Sequence, residues 1–211
     1  MKVLGLNGST NEHGVTYTAM NIVGDQLKKE GIDLEIYHVG TEGVHGCLNC
    51  MQCRKDKVHR CVINDKVNTI IDKLDEYDGL LLGSPTHFMN IPGPFKAFLD
   101  RLFYATENLS GRKLKVGAAI TVCRRAGAID SLHQLNNYFC CSNMITVNSY
   151  YWNIVHGWNP DEFLAQDKEG VRTMEVLGQN MAWLLKSLNA SRDIVPLPVF
   201  TEERVRTNFC R

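Results

Sequence analysis

Two hydrophobic periods take turns along this chain, a short strand-like one and a longer one that recurs every three to four residues. Residues 2–7 are an apolar run ending in Gly8-Ser9, which predicts a first strand. Residues 16–30 carry Met20, Val23 and Leu27 on one helical face, and Gly31 stops the pattern. Residues 32–39 alternate apolar and polar, as a strand near a sheet edge does. Residues 40–63 have no period and read as a loop insertion; Val67, Ile70, Ile71 and Leu74 then mark a second helix. Gly79-Leu80-Leu81-Leu82-Gly83 is apolar throughout, as a central parallel strand covered on both faces is. A third helix over 94–104 turns Phe95, Phe98, Leu99 and Leu102 inward. A strand over 115–122, a helix over 128–139 and a fifth strand over 144–147 follow. The last helix spans 171–188, with Met174, Leu177, Met181 and Leu184 or Leu185 on one side. From Ala190 onward, with Pro196 and Pro198, no period remains.

Five strand–helix units in series predict an α/β fold: a parallel sheet with right-handed crossovers and helices on both faces. Such sheets bind ligands outside the carboxyl ends of their strands, where the strand order switches. No repeat, linker or low-complexity tract interrupts the 211 residues. Residues 1–211 therefore read as one domain with an insertion at about 40–64.

Composition narrows the function. Lys+Arg and Asp+Glu are both 23, so the net charge is zero and no broad attraction to nucleic acid or anionic membrane is expected. The first residues lead straight into a strand and a Gly/Ser turn, and no apolar stretch is long enough to span a bilayer, which together predict a cytoplasmic protein. In a reducing compartment the eight cysteines favour metal or redox chemistry over a disulfide framework. Four of them, Cys47, Cys50, Cys53 and Cys61, fall within fifteen residues.

The first candidate site is the loop Gly8-Ser9-Thr10-Asn11-Glu12-His13-Gly14-Val15-Thr16-Tyr17-Thr18, between the first strand and its helix. Free N–H groups at a helix start, the helix dipole and nearby hydroxyls together suit an anion. It is not a Walker loop, because five residues separate the glycines and Val15 stands where Lys is needed. The G-x-G-x-x-G dinucleotide fingerprint is also missing. A terminal monophosphate held by neutral donors fits; so does a plain helix cap made by Ser or Thr.

The stretch Gly83-Ser84-Pro85-Thr86-His87-Phe88-Met89-Asn90-Ile91-Pro92-Gly93-Pro94-Phe95-Lys96-Ala97-Phe98-Leu99-Asp100-Arg101 resembles that of the NADPH-dependent FMN reductase-like superfamily. The Gly8-Ser9…Gly14…Thr16 loop resembles the same family's phosphate loop, with Asn11 in place of the usual Arg and Val15 in place of Asn. The loop 122–128 and the segment Tyr151-Trp152-Asn153…Gly157 extend the likeness over nearly the whole chain. The resemblance implies a flavodoxin-like three-layer α/β/α sandwich with strand order 2-1-3-4-5, and FMN as cofactor. Ser9, Thr10, Asn11, Val15, Thr16, Tyr17 and Thr18 would hold the phosphate. Pro85, Thr86, His87, Phe88, Met89 and Asn90 would lie against the isoalloxazine, with Arg124, Arg125 and Gly127 reaching the flavin from the third loop. One of the two arginines would face the flavin or a cosubstrate phosphate, the other solvent. In that family the Asp-Arg pair, here Asp100-Arg101, closes the helix.

Cys47-x2-Cys50-x2-Cys53-x7-Cys61 resembles the motif of iron–sulfur flavoproteins, a branch of the same superfamily. Three close, evenly spaced thiolates and a more distant fourth suit a [4Fe-4S] cluster. Structural zinc more often uses two separated C-x2-C pairs. Zinc, a disulfide or free thiols remain open for these residues. Cys123, Cys140, Cys141 and Cys210 lack ligand spacing. The implied function is an FMN-dependent oxidoreductase. It would move electrons from NAD(P)H or a ferredoxin-type donor to a small acceptor such as quinone or oxygen. The alternative is an electron carrier that docks protein partners. The aromatic run Tyr150-Tyr151-Trp152, with Trp158, predicts a homodimer or homotetramer with the flavin near the subunit boundary.

Overall fold

The structure, a computed structural model, describes residues 1–40, 43–106 and 115–198. Six strands form one sheet: β1 (Lys2–Asn7), β2 (Asp33–His38), β3 (Gly79–Pro85), β4 (Val116–Cys123), β5 (Ile145–Thr146) and β6 (Ile154–His156). Their order is β2-β1-β3-β4-β5, with β6 also paired to β4, and every pairing is parallel. The expected order 2-1-3-4-5 is therefore present.

Helices cover both faces: α1 (Val15–Lys29), α2 (Lys66–Lys73), α3 (Gly93–Ala105), α4 (Ala128–Cys141), α5 (Pro160–Gln166) and α6 (Lys168–Ser191). Successive residues of a strand point to opposite faces, so the apolar strands feed two cores at once. Leu4, Leu6, Leu80 and Leu82 pack with Phe95, Phe98 and Leu99 of α3 and Leu135 and Phe139 of α4. Val3, Leu81, Ala118 and Ile120 pack on the other side with Met20, Val23 and Leu27 of α1 and Met174, Leu177 and Met181 of α6. None of the helices among the described residues is long and apolar enough to cross a membrane.

The far edge departs from the expectation of one fifth strand over 144–147. β5 pairs only with Val116 and Gly117, at the start of β4, and β6 pairs with Thr121 to Cys123 at its end. The chain leaves the sheet between them, and Asn153 repairs the gap. Its side chain donates to the Ala119 carbonyl (3.0 Å) and accepts from the Ser149 N–H (3.0 Å), while its own carbonyl accepts from the Thr121 N–H (3.0 Å). Residues 150–152 are thus held out as an exposed aromatic arch.

Two further differences have local causes. Asn159 caps α5 by accepting from the Glu162 N–H (2.9 Å), with Pro160 in the first turn, where a missing N–H costs nothing. Asp167 likewise accepts from the Gly170 N–H (2.9 Å), so α6 starts at Lys168 rather than 171. Within the cysteine insertion, Gln52–Lys57 forms a short 3₁₀ turn after Met51, which has a left-handed backbone. The tail beyond residue 198, including Cys210, lies outside the described residues.

The strand order reverses at β1, so the crevice lies at the carboxyl ends of β1 and β3. Gly8 closes that end tightly. Its N–H donates to the Gly83 carbonyl (2.8 Å), and a Cβ on it would sit 2.1 Å from the buried Phe95 ring. Gly8→Ala should therefore force Phe95 aside and lower stability by about 1–3 kcal/mol. Urea unfolding of the flavin-free protein measures this, and an unchanged midpoint would show that the ring yields freely.

Candidate functional site

The loop after β1 is braced from beneath by Asn7, which is fully buried. Its Oδ1 accepts from the Ser9 N–H (3.0 Å) and its Nδ2 donates to the Glu12 carbonyl (3.0 Å), tying the loop across its own width. The Ser9 hydroxyl accepts from the Asn11 N–H (3.1 Å), and Asn11 Oδ1 from the His13 N–H (3.2 Å). His38, at the end of β2, lies 2.8 Å through Nε2 from the Ser9 carbonyl. Ser9, Val15 and Thr16 are buried, Tyr17 and Thr18 half-buried, and Thr10 and Asn11 exposed.

The helix-cap alternative does not hold. Gly14 occupies the cap of α1 in extended backbone, no side chain caps the helix, and no acidic residue lies in its first turn. The first N–H groups of a helix have no intrahelical partner. In α1 no acidic residue of the first turn offsets the positive end of the dipole, the arrangement that suits an anion.

The loop after β3 lies alongside. Thr86 donates its N–H to the Val122 carbonyl of β4 (2.7 Å), while its hydroxyl oxygen is buried without a hydrogen-bond partner. A buried polar atom with no partner is costly unless something else supplies one. His87 and Asn90 exchange two backbone hydrogen bonds (2.7 and 3.0 Å) across a two-residue tip. Phe88 (φ 48°) and Met89 (φ 69°) both adopt the left-handed conformation there. That tip geometry normally selects Asn or Gly, and bulky residues are strained in it. Phe88 stands fully exposed, and Met89 is half-exposed.

The third loop meets the second at Gly127. Its φ of 87° is left-handed, and a Cβ there would lie 2.9 Å from Met89 Cα and 3.0 Å from Thr86 Cγ2. Thr86, Met89 and Gly127 are thereby brought together, and the Gly8–Gly83 hydrogen bond joins β3, which leads into them, to the loop after β1. Arg124 and Arg125 are exposed. Arg125 borders a cleft formed with Cys123, Trp152, His156 and Asp167, and Arg124 borders a separate one with Trp158. Tyr150, Tyr151, Trp152 and Trp158 are all more than half exposed.

Cys47, Cys50, Cys53 and Cys61 line one small pocket together with Arg101 and Tyr104 of α3. Burial pushes the Cys53 thiol above its ordinary pKa, the Cys61, Cys47 and Cys50 thiols push the same way, and Arg54 opposes them. Among the described residues no three Cys, His, Asp or Glu are grouped to hold a single metal ion. None of the described cysteines is in a disulfide. Cys47 and Cys50 are exposed, Cys53 is buried and Cys61 is intermediate.

Asp100 and Arg101 do not close α3, which continues to Ala105. They point to different neighbours. Asp100 pairs with Lys96 (2.7 Å) and accepts from the Tyr138 hydroxyl (2.5 Å). Arg101, completely buried, forms a two-pronged pair with Asp65 (2.6 and 2.8 Å) and a 3.3 Å hydrogen bond to Cys61 Sγ. Partial burial works against the Asp65 carboxylate, yet the hydrogen bonds from Arg101 and the Val67 N–H hold its pKa below the ordinary range. Breaking such a buried pair from one side costs about 3–5 kcal/mol. Asn7 and Asp65 carry no pattern in the linear sequence that separates them from ordinary turn residues.

The sequence profile of the NADPH-dependent FMN reductase family matches residues 1–159. An iron–sulfur flavoprotein of Methanocaldococcus jannaschii is 28% identical over 196 residues, covering 88% of this chain and 98% of its own. An iron–sulfur flavoprotein of Methanosarcina thermophila is 27% identical over 197 residues, covering 92% of this chain and all of its own. Among solved structures, RosB with a bound 8-demethyl-8-formylriboflavin 5′-phosphate superposes with a TM-score of 0.69. It is 15% identical and covers 100% of this chain and 94% of RosB, a likeness of fold. The arrangement of three loops at the carboxyl edge of a 2-1-3-4-5 sheet and the match over residues 1–159 lead to one assignment: this chain belongs to the NADPH-dependent FMN reductase family, a family of FMN-binding oxidoreductases with a flavodoxin-like fold.

Proposed function

We propose that this protein is an FMN- and iron–sulfur-dependent oxidoreductase that takes electrons from NAD(P)H or a ferredoxin-type donor and passes them to a small acceptor such as quinone or oxygen. The observation that carries the reading is the convergence of four thiols on one pocket of a chain that also offers an uncapped anion site and an unpartnered Thr86 hydroxyl.

The residues present fit both groups. Ser9, Thr16 and the first N–H groups of α1 would hold the FMN phosphate, supplying neutral donors and dipole rather than a counter-charge. Thr86 would give its hydroxyl to the flavin, and Gly127, lacking a side chain, lets the third loop close onto Thr86 and Met89. The tip from His87 to Asn90 would set one wall, and Arg125 with Trp152 the rim where a substrate enters. FMN supplies the electron chemistry when bound, and the protein contributes position, electrostatics and exclusion of water.

Cys47, Cys50, Cys53 and Cys61 would hold a [4Fe-4S] cluster. Four ligands of one zinc ion must meet at a single centre, whereas a four-iron cluster takes one thiolate at each of four separate irons. Three evenly spaced thiols and a more distant fourth that line one pocket suit the second requirement. The relatives named iron–sulfur flavoproteins agree with that choice.

A second reading, an electron carrier that docks protein partners, is favoured by one feature. Leu48, Met51, Val58 and Val62 expose apolar side chains along the cysteine segment. Rapid-mixing reduction by NADH and NADPH separates the readings, because an enzyme is reduced at a rate that supports its turnover and a carrier is not.

Replacing Ser9 and Thr16 together by Ala should weaken FMN binding at least about tenfold, since each hydrogen bond to a charged group contributes about 1.5–3 kcal/mol. Fluorescence titration of the flavin-free protein reads this; unchanged affinity places the phosphate elsewhere. Cys53→Ser should abolish bound iron and acid-labile sulfide yet leave FMN bound and nicotinamide reduction intact, because the flavin loops are built on different residues. A homodimer or homotetramer is expected from the exposed arch 150–152 and Trp158, and sedimentation of a monomer at micromolar concentration would contradict it.

A further inference from the structure

Arg101 places a fixed positive charge against the fourth cysteine, and the inference drawn from it rests on the cluster reading above. A guanidinium has five N–H donors. All five are used here: Nε on Cys61 Sγ (3.3 Å), Nη1 on Asp65 Oδ2 (2.6 Å) and the His45 carbonyl (3.3 Å), and Nη2 on Asp65 Oδ1 (2.8 Å) and the Ile63 carbonyl (3.0 Å). His45 precedes Cys47 by two residues and Ile63 follows Cys61 by two. One side chain on α3 therefore fastens both ends of the cysteine segment.

Cys61 is held a second time through its main chain. Asn68 of α2, itself buried, accepts from the Cys61 N–H (2.9 Å) and donates to the carbonyls of Cys61 (2.9 Å) and Ile63 (3.2 Å). Cys47 and Cys50, by contrast, are exposed on a stretch whose Asn49 and Met51 are left-handed. Cys61 is thus tied to both α2 and α3.

A purely structural arginine would be complete with Asp65 and two carbonyls. The remaining donor ends on sulfur, and a charge-assisted N–H bond to a ligand sulfur withdraws electron density from it. Hydrogen bonds to sulfur and local charge set cluster potentials. We propose that Arg101 is a positioning residue for the iron–sulfur centre: it holds Cys61 in place, and its Nε–H···Sγ bond biases the centre toward the reduced state.

The test is a redox titration of full-length protein, prepared anaerobically with iron and sulfide. Paramagnetic resonance reports the cluster and absorbance reports the flavin. Arg101→Lys keeps a cation but loses the planar fork. It should move the cluster midpoint to a more negative potential, leave the flavin midpoint in place and speed iron loss to a chelator at least about tenfold, one bond of about 1.5–3 kcal/mol being lost. Asn68→Ala loosens only the main chain, so iron should leave faster at an unchanged potential. Asp65→Asn retains an oxygen for the α2 cap but removes the counter-charge from the guanidinium, and should move the cluster midpoint in the positive direction. Arg101→Lys and wild type sharing one midpoint would overturn the proposal and leave the cluster reading intact. Should Arg101→Lys fail to fold, Asp65→Asn decides alone, and no positive shift there overturns it. A wild-type protein that binds no cluster overturns both.

Discussion

A parallel sheet covered on both faces leaves its polar chemistry only one outlet, the ends of its strands. β3 and β4 are buried almost along their whole length, so their side chains are apolar or, like Ser84 and Thr121, have their hydroxyls satisfied by nearby carbonyls. Where these strands stop, the backbone needs new partners, and the chain supplies them locally. Asn7 holds the first loop, the Thr86–Val122 hydrogen bond the second, and the left-handed Gly127 the third. The candidate site follows from this constraint rather than from any one motif, since each loop is locked to its neighbour by close packing or a main-chain hydrogen bond.

The cysteine segment obeys a different constraint, the saturation of a guanidinium sealed from water. An arginine buried without acceptors would be strongly destabilising. The segment from His45 to Asp65 folds around Arg101 and delivers two backbone carbonyls, a carboxylate and a sulfur. The cysteine insertion is in this sense tied to α3 and α2 rather than a loose loop. Left-handed non-glycine backbone occurs within this segment at Asn49, Met51 and His59 and again at the Phe88–Met89 tip, where two bulky residues hold it at an order of 1–3 kcal/mol each.

The strands and the helix faces were legible because their signals are periodic, and the strand order because three loop motifs resemble those of a known family. Leu80, Leu81 and Leu82 feed opposite cores as a two-sided strand must, and Phe95, Phe98, Leu99 and Leu102 form the buried stripe of α3. The split far edge was not legible. Only three residues form β6, and its continuity with β5 depends on what the side chain of Asn153 does in three dimensions. α5 was overlooked although Asn159-Pro160-Asp161-Glu162 is a helix start, because seven residues give too little period to see. The spacing of the cysteines was plain, but the role of Arg101 was hidden. Its motif neighbour Asp100 suggested a pair, and forty positions separate it from Cys61.

The central claim is that one chain holds a flavin and a [4Fe-4S] cluster at separate places on the same sheet framework. An absorption spectrum of freshly purified, anaerobic protein, joined to metal analysis of the same sample, tests it most directly. The account predicts flavin bands superimposed on the broad absorption of an iron–sulfur cluster, with iron and no stoichiometric zinc. Flavin bands alone, with zinc or no metal, would contradict it.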